Sequence, residues 1–487
     1  MKKHKSKLLS WPLLACIFLG GGCRSVTLEP PAQTSSHQTA AAELSDRAGN
    51  LPNLQLARFE ESAASATEPG GVETPLGSED PTRPANFFAG AKELSLETLI
   101  QEVLARNPSL SQMKAAWQAA LARYPQVTSL EDPMFGATIG PETFAPDDKG
   151  VEFAYRVEIS QKYPWPGKRQ LRGQNATMSA QAAADDVDDI RLQLIESARN
   201  AFYDYYLAER ALEVNQQSLD LLGRIREDAQ SRYESSKEKV SIQEIYQFNV
   251  EMGREQQRRL TLERMREVAK ARINTLIHQT PDQPLPAPPK ELTVEGETRP
   301  VQELRQAGMA RRPDLQAARN RLAAEEAALE LAYKEFYPDF EPFFMYDRFM
   351  GNTSGSRDLA SMVGVRLNLP VRRDRRKAAV EEAEAKLAQR RAELAKLLDQ
   401  ANFEIDQAYQ EVRETTATVR LYETTILKDA EANVDAARPA YKTGLIPASN
   451  LLEAERALVD LKDRYFQAIA DYHRRLATLE RSIGGAK

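Results

Sequence analysis

Catalytic chemistry in a chain of 487 residues would show first in its histidines, cysteines and clustered carboxylates. His37, His278 and His473 lie far apart, and Cys16 and Cys23 both fall in the amino-terminal segment. Neither a zinc ligand set nor a nucleophile and base pair can be assembled from that spacing. Asp185, Asp186, Asp188 and Asp189 form an acidic cluster. On a helix they spread over most of the circumference, so they read as a solvated face. Met345, Met350 and Met362 suggest soft-metal contacts, but apolar filling or lipid contact is the stronger reading for flexible thioethers. Nothing in this set supports an enzyme, and no metal or cofactor is expected.

The chemistry the sequence does carry is at Cys23. Lys2, Lys3, Lys5 and Lys7 precede an apolar run from Leu8 to Leu19, which is a signal-peptide pattern and too short to span a bilayer. The run ends in LGGGC, which resembles a bacterial lipoprotein signal, although Gly20 stands where Leu is usual. Cys16 competes, but cleavage there leaves Ile17, Phe18 and Leu19 on the product. The favoured reading is a signal over residues 1–22 and an acyl lipid on Cys23; the alternative is an ordinary signal peptide with an incidental cysteine. Arg24 in place of Asp points to the outer membrane. Residues 23–92 are rich in Ala, Ser, Thr, Pro, Glu and Gly without an apolar period, and read as a flexible tether. A formal charge of -6 gives no reason to expect nucleic acid.

These features must be positioned by elements, and the elements come twice. LARNPSL and MARRPDL align Pro108 with Pro313, and each is followed by two short apolar segments, a proline near basic residues (Pro166, Pro370) and a very long helical stretch. The stretches end at Arg232-Tyr233 and Ala440-Tyr441, and a return helix follows each. Residues 93–279 and 301–487 therefore read as two repeats, joined by a Pro-rich linker over 280–300. In the first long stretch Val187, Ile190, Leu194, Ala198, Ala201, Tyr205, Ala208, Leu212, Leu219 and Leu222 follow coiled-coil spacing, broken at Asn215. An arm from Lys168 to Arg232 would be roughly 100 Å long, far beyond a bilayer core of about 30 Å, and too polar for lipid. In GVEFAYRVEIS, Val151, Phe153, Tyr155, Val157 and Ile159 alternate with Glu152, Ala154, Arg156, Glu158 and Ser160; Val363, Val365 and Leu367 alternate likewise with Met362, Gly364 and Arg366. That alternation suits a transmembrane barrel, or a small soluble sheet packed on helices. With partners near Met134 to Ile139 and Phe340 to Phe349, one chain has about four strands, too few for a barrel of its own.

The paired ARNP and ARRP starts, two amphipathic hairpins, the turns RYESSKEKVSIQEI and AYKTGLIPASNLLEAERAL, and the closing RLATLERSIGG together resemble the outer-membrane efflux channel family typified by TolC, especially its lipoprotein members. The resemblance spans residues 93 to 485. It implies a mainly α fold with a small β part: duplicated long coiled-coil hairpins and two amphipathic β-hairpins, assembled as a homotrimer with a twelve-stranded outer-membrane barrel and a twelve-helix periplasmic tunnel. It implies as partners a periplasmic adaptor protein, an inner-membrane pump and outer-membrane lipid. The short turns would lie at the closed periplasmic end, with Ser235, Ser236, Lys237, Gly444, Leu445 and Pro447 contacting the adaptor. An acidic gate pair in the family falls on Asn450 and Glu453, with Glu244 and Gln247 at the equivalent positions of the first copy; an amide replaces one acid in the second copy, and the first turn lacks the glycine. Arg372 to Lys377, with Lys168 and Arg169, are expected just below the barrel, reaching lipid phosphates. A periplasmic adaptor, or a structural coiled-coil lipoprotein tethering envelope layers, are the rival readings. The cargo is not legible.

Overall fold

The computed structural model describes residues 88, 90, 92–140, 151–235, 241–294, 299–351 and 357–485. Cys23, Ser236, Lys237, the signal segment and nearly all of the tether lie outside the described residues.

Each half starts with a proline-punctuated helix pair. Helices α1 (Leu96–Arg106) and α2 (Pro108–Thr128) meet at Asn107, as α5 (Val301–Arg311) and α6 (Pro313–Lys334) meet at Arg312. Proline at the first helical position fixes φ and needs no amide hydrogen there, so the chain ends one helix and begins the next with a bend. Asn107 Oδ1 accepts the Ser109 amide at 3.0 Å, and its Nδ2 donates to the Leu276 carbonyl at 2.9 Å. Arg312 holds the second corner differently, donating to Asp314 and Glu404 at 2.7 Å. Gly308 lets α5 lie close on its neighbours: a Cβ there would stand 2.5 Å from Ile405 Cδ1.

Two arms dominate the molecule. Helix α3 (Lys168–Ser235) runs 68 residues and α4 (Ile242–Leu276) returns along it. At 1.5 Å per residue α3 is about 100 Å long. Its seam is largely alanine and tyrosine: Ala198, Ala201, Tyr205 and Ala208 are all buried, and small residues let the helices approach closely. Asn215, the break in the apolar spacing, is buried and donates through Nδ2 to Glu255 Oε2 at 2.6 Å and to the Glu255 carbonyl at 3.0 Å.

The second arm is not the unbroken stretch the sequence suggests. Helix α7 (Arg373–Leu421) passes through a five-residue π turn, Tyr422–Ile426, into α8 (Leu427–Lys442), and α9 (Ala448–Ser482) returns. One added residue widens the helix locally and leaves the apolar spacing on either side unaltered, so periodicity does not reveal it.

The acidic cluster is also placed differently from expectation. Asp185 accepts from Asn320 at 2.7 Å, Asp186 pairs with Arg321, and Gln193 donates to Asp189. Asp185, Asp186 and Asp189 face the α3–α6 contact instead of open solvent, while Asp188 is exposed as expected, and burial holds the Asp185 and Asp189 carboxyls above the usual carboxylate range.

Strands β1 (Met134–Gly140), β2 (Val151–Ser160), β3 (Phe340–Gly351) and β4 (Arg357–Leu367) form one antiparallel sheet in that order. The two hairpins join through β2 and β3, and among the described residues β1 and β4 are its unpaired edges.

Candidate functional site

Two places combine sequence-predicted residues with organised geometry: the sheet, and the hairpin tips at the far ends of the arms.

Register sorts the sheet into two faces. Phe135, Ile159, Phe344 and Val363 stand in one cross-strand row, with Val157 and Tyr346 in the next row on that face. Val365 and Leu367 extend it, and Phe135, Ile159, Phe344, Val363, Val365 and Leu367 are all exposed. The other face carries the charge. Arg156 donates to both Asp347 oxygens at 2.7 and 3.0 Å; Arg366 pairs with Glu158 and lies 3.4 Å from Glu341; Ser160 Oγ donates to Glu341 at 2.6 Å. Met345 and Met362 pair across strands on this charged face. A four-stranded sheet that exposes its apolar face and keeps its ion pairs on the other inverts the order of a soluble domain.

Aromatic stacks mark the base of the sheet: Tyr163 on Phe340 at 5.9 Å and Trp165 on Tyr337 at 5.3 Å between ring centroids. Lys168, expected to reach lipid, is instead 1% exposed, with Nζ 2.8 Å from Asp339 Oδ1 and 3.1 Å from the Tyr337 carbonyl. Arg169 donates to the Thr128 carbonyl and Arg376 to the Glu335 carbonyl. A buried ammonium must be paired, and the carboxylate that pairs it is 171 residues away in sequence. Arg372, Arg373 and Arg375 are exposed.

At the tips, Gly444 has φ +78°, its amide donates to the Tyr441 carbonyl, and the Leu445 amide donates to the Ala440 carbonyl. This is the paired capping that glycine at a helix end permits. Pro447 is the residue just before α9, which starts at Ala448. Leu445 is 80% exposed, and Ser235 ends α3 at the surface.

Leu222, Ile225 and Ala229 of α3, Ile245 and Phe248 of α4, Tyr441 of α8, and Leu451 and Leu452 of α9 form one cluster joining the two hairpins. Polar contacts ring it. Tyr441 Oη donates to Glu244 Oε2 at 3.2 Å, and the Arg232 guanidinium lies 5.2 Å from the Tyr441 ring centroid. Burial, with Glu244 alongside, pushes the Tyr441 hydroxyl up to about 12. Arg456 of α9 donates to both carboxylate oxygens of Glu251 on α4, Nε at 2.7 Å, and its hydrogen bond holds the Glu251 carboxyl below the usual range.

Of the four sequence-predicted gate residues, the structure engages Glu244 with Tyr441 and half-buries Gln247. Asn450 and Glu453 are exposed on α9. Glu251, Arg456, Arg232 and Tyr441 are organised there too, and sequence reading did not single them out as a site. Arg456 and Glu251 stand one helical turn beyond Glu453 and Gln247, so continuing the same spacing reaches them.

An open-edged sheet with an exposed apolar face is carried on duplicated helical arms. Residues 304–485 match the family described as outer membrane efflux protein. No curated protein matches the chain in sequence. Among solved structures it is similar to the outer-membrane channel OprN, with TM-score 0.70 and 20% identity over 80% of this chain and 90% of that one. VceC of Vibrio cholerae gives 0.69 and 22%, covering 80% and 96%. The open state of the Neisseria gonorrhoeae channel MtrE gives 0.66 and 18%, covering 80% and 89%.

Proposed function

We propose that the protein is the outer-membrane conduit of a tripartite efflux system: a homotrimer, anchored by an acyl lipid on Cys23, that passes solutes from the periplasm outward and closes at its helical tips. The observation that carries this reading is the sheet, whose exposed apolar face and ion-paired opposite face require lipid outside and water inside. Four strands cannot close a barrel, so the free edges of β1 and β4 are met by other copies. A second apolar row supports the same assembly. Ile242, Tyr246, Val250, Leu260 and Val268 of α4 are exposed within the protomer along one stripe of the helix, the pattern of a face awaiting another helix.

The tips, with the exposed Leu445, face an adaptor, and Asn450 and Glu453 narrow the closed mouth. Single-channel recording of the purified protein in planar bilayers tests the whole. Wild-type protein forms long-lived pores of small conductance, and Asn450→Ala with Glu453→Ala raises the conductance and alters its cation preference. Absence of pores from folded protein overturns the channel; unchanged conductance in the double variant places the gate elsewhere.

A further inference from the structure

One residue on the apolar face of the sheet has the wrong polarity for it. Phe340, Phe344, Tyr346 and Arg348 lie along that face of β3. Register sets Arg348 opposite Tyr155, one row beyond Val157 and Tyr346, and sets Tyr155 opposite Ile139 of β1. Arg348 is exposed. The other arginines of the sheet whose side chains are described, Arg156 and Arg366, lie on the opposite face against Asp347, Glu158 and Glu341. Among the described residues no carboxylate shares the face of Arg348. Its companions are hydroxyls. The guanidinium donates to the Tyr155 hydroxyl, which shares a further hydrogen bond with Tyr346, and the two tyrosine rings stack at 6.3 Å.

The height of this group on the sheet selects what it can meet. The stacks of Tyr163 on Phe340 and Trp165 on Tyr337 mark the end from which the helices leave. From Phe340 to Arg348 is about 26 Å of strand, or about 20 Å along the membrane normal at the usual tilt of a barrel strand. With its long side chain added, the guanidinium reaches the far boundary of an apolar band about 25 Å tall, and Tyr155 and Tyr346 stand where a second aromatic girdle belongs. The groups surrounding a barrel wall at that boundary are lipid headgroups. A planar guanidinium takes two phosphate oxygens through parallel N–H bonds, and the tyrosine hydroxyls fixed beside it supply a further donor.

We propose that Arg348, Tyr155 and Tyr346 form a site on the outer wall of the barrel for a phosphate of the outer-leaflet glycolipid, lipopolysaccharide. The proposal rests on the reading of the sheet as barrel wall. The site is separate from Arg372, Arg373 and Arg375, which follow β4 at the opposite end of the sheet. The glycolipid is favoured over a phospholipid because the site lies at the end of the sheet away from the helical arms, which is the extracellular side of a channel whose arms enter the periplasm.

Native mass spectrometry of the detergent-purified protein, titrated with deep-rough lipopolysaccharide, reads the site. Wild-type protein retains the glycolipid and does not retain a dephosphorylated preparation of it. Arg348→Gln lowers the affinity about tenfold or more, as loss of a charge-assisted contact requires. Tyr155→Phe frees the guanidinium and lowers the affinity less. Phosphatidylglycerol is retained equally by wild type and Arg348→Gln. Retention of the dephosphorylated glycolipid overturns the site, as does Arg348→Gln binding like wild type. Phosphatidylglycerol that wild type prefers and Arg348→Gln loses assigns the phosphate to a phospholipid and overturns the glycolipid. Should Arg348→Gln fail to assemble, Tyr155→Phe decides, and unchanged affinity in that variant overturns the proposal. Wild-type conductance in planar phospholipid bilayers is read separately: protein that forms pores without this lipid preference loses the site and keeps the channel, and folded protein without pores loses the channel itself.

Discussion

A carboxylate that is 4% exposed keeps its charge only while a cation faces it, and at Glu251 that cation is Arg456. Arg456→Ala leaves Glu251 buried with Arg254 alone, 3.4 Å away and largely solvated. Half of Arg456 is in solvent, which moderates the loss to about 2 kcal/mol of tip contact. Recording should show longer or more frequent open events in this variant, with normal trimer levels. The pH dependence has the same origin. Because the folded-state value is depressed, the contribution is complete above the ordinary glutamate range and is lost as pH falls through the lower folded value. Acidification below about pH 4 should therefore open the wild-type tip, and Arg456→Ala should respond less. Gly444 poses a different problem. No atom lies within 4 Å of an added Cβ there, yet φ +78° is costly for a β-branched residue. Gly444→Val should thus strain or redirect the turn by about 1–2 kcal/mol. The expected result is loss of pump-dependent resistance with an unchanged amount of trimer on a native gel. Gly444 was legible from sequence because a glycine between two helical runs marks a left-handed helix end. Glu251 and Arg456 were not, since each alone reads as an exposed charge on a polar helix.

At the scale of elements, the sheet's two faces make opposite predictions for adjacent residues. Val157→Arg puts a cation on the apolar face, costing about 2–4 kcal/mol near the bilayer midplane. Glu158→Gln lies on the ion-paired face and removes one acceptor from Arg366, which keeps Glu341. Heating in detergent should dissociate the first variant at markedly lower temperature and the second near wild type; equal loss would reverse the facing assignment. Gly308→Ala tests the helix corner: the new methyl meets Ile405 Cδ1, and forcing that contact should cost about 1–3 kcal/mol, read as a lower unfolding midpoint. Strand alternation and arm length were legible because both are periodic signals, with Val157 and Ile159 or Ala198 and Ala201 repeating at the spacing the element imposes. The π turn was not, because an inserted residue between Val419 and Val434 preserves the pattern on either side. Lys168 misled for the converse reason: basic residues beside an aromatic belt look like lipid ligands, and Asp339 is too distant in sequence to be seen as the partner.

Across the whole molecule, the arms, tips and sheet suit the proposed trimer, in which one chain is incomplete by itself. Among the described residues no helix is long and apolar enough to cross a membrane. Arg372, Arg373 and Arg375 remain free of the buried network that holds Lys168, and are the residues to test for lipid phosphate contact. Replacing all three with Gln should lower the temperature at which the trimer dissociates in anionic lipid and leave it unchanged in neutral detergent. The free edges of β1 and β4 reach further, into inheritance. In the proposed closed ring, a subunit damaged at either edge does not merely fail; it occupies a place and leaves a gap that intact neighbours cannot seal. In a cell making equal amounts of sound and damaged copies, only about one ring in eight of a threefold assembly would be wholly sound. Edge mutations should consequently act dominantly over the normal gene, whereas a null allele, which adds no faulty subunits, should be recessive.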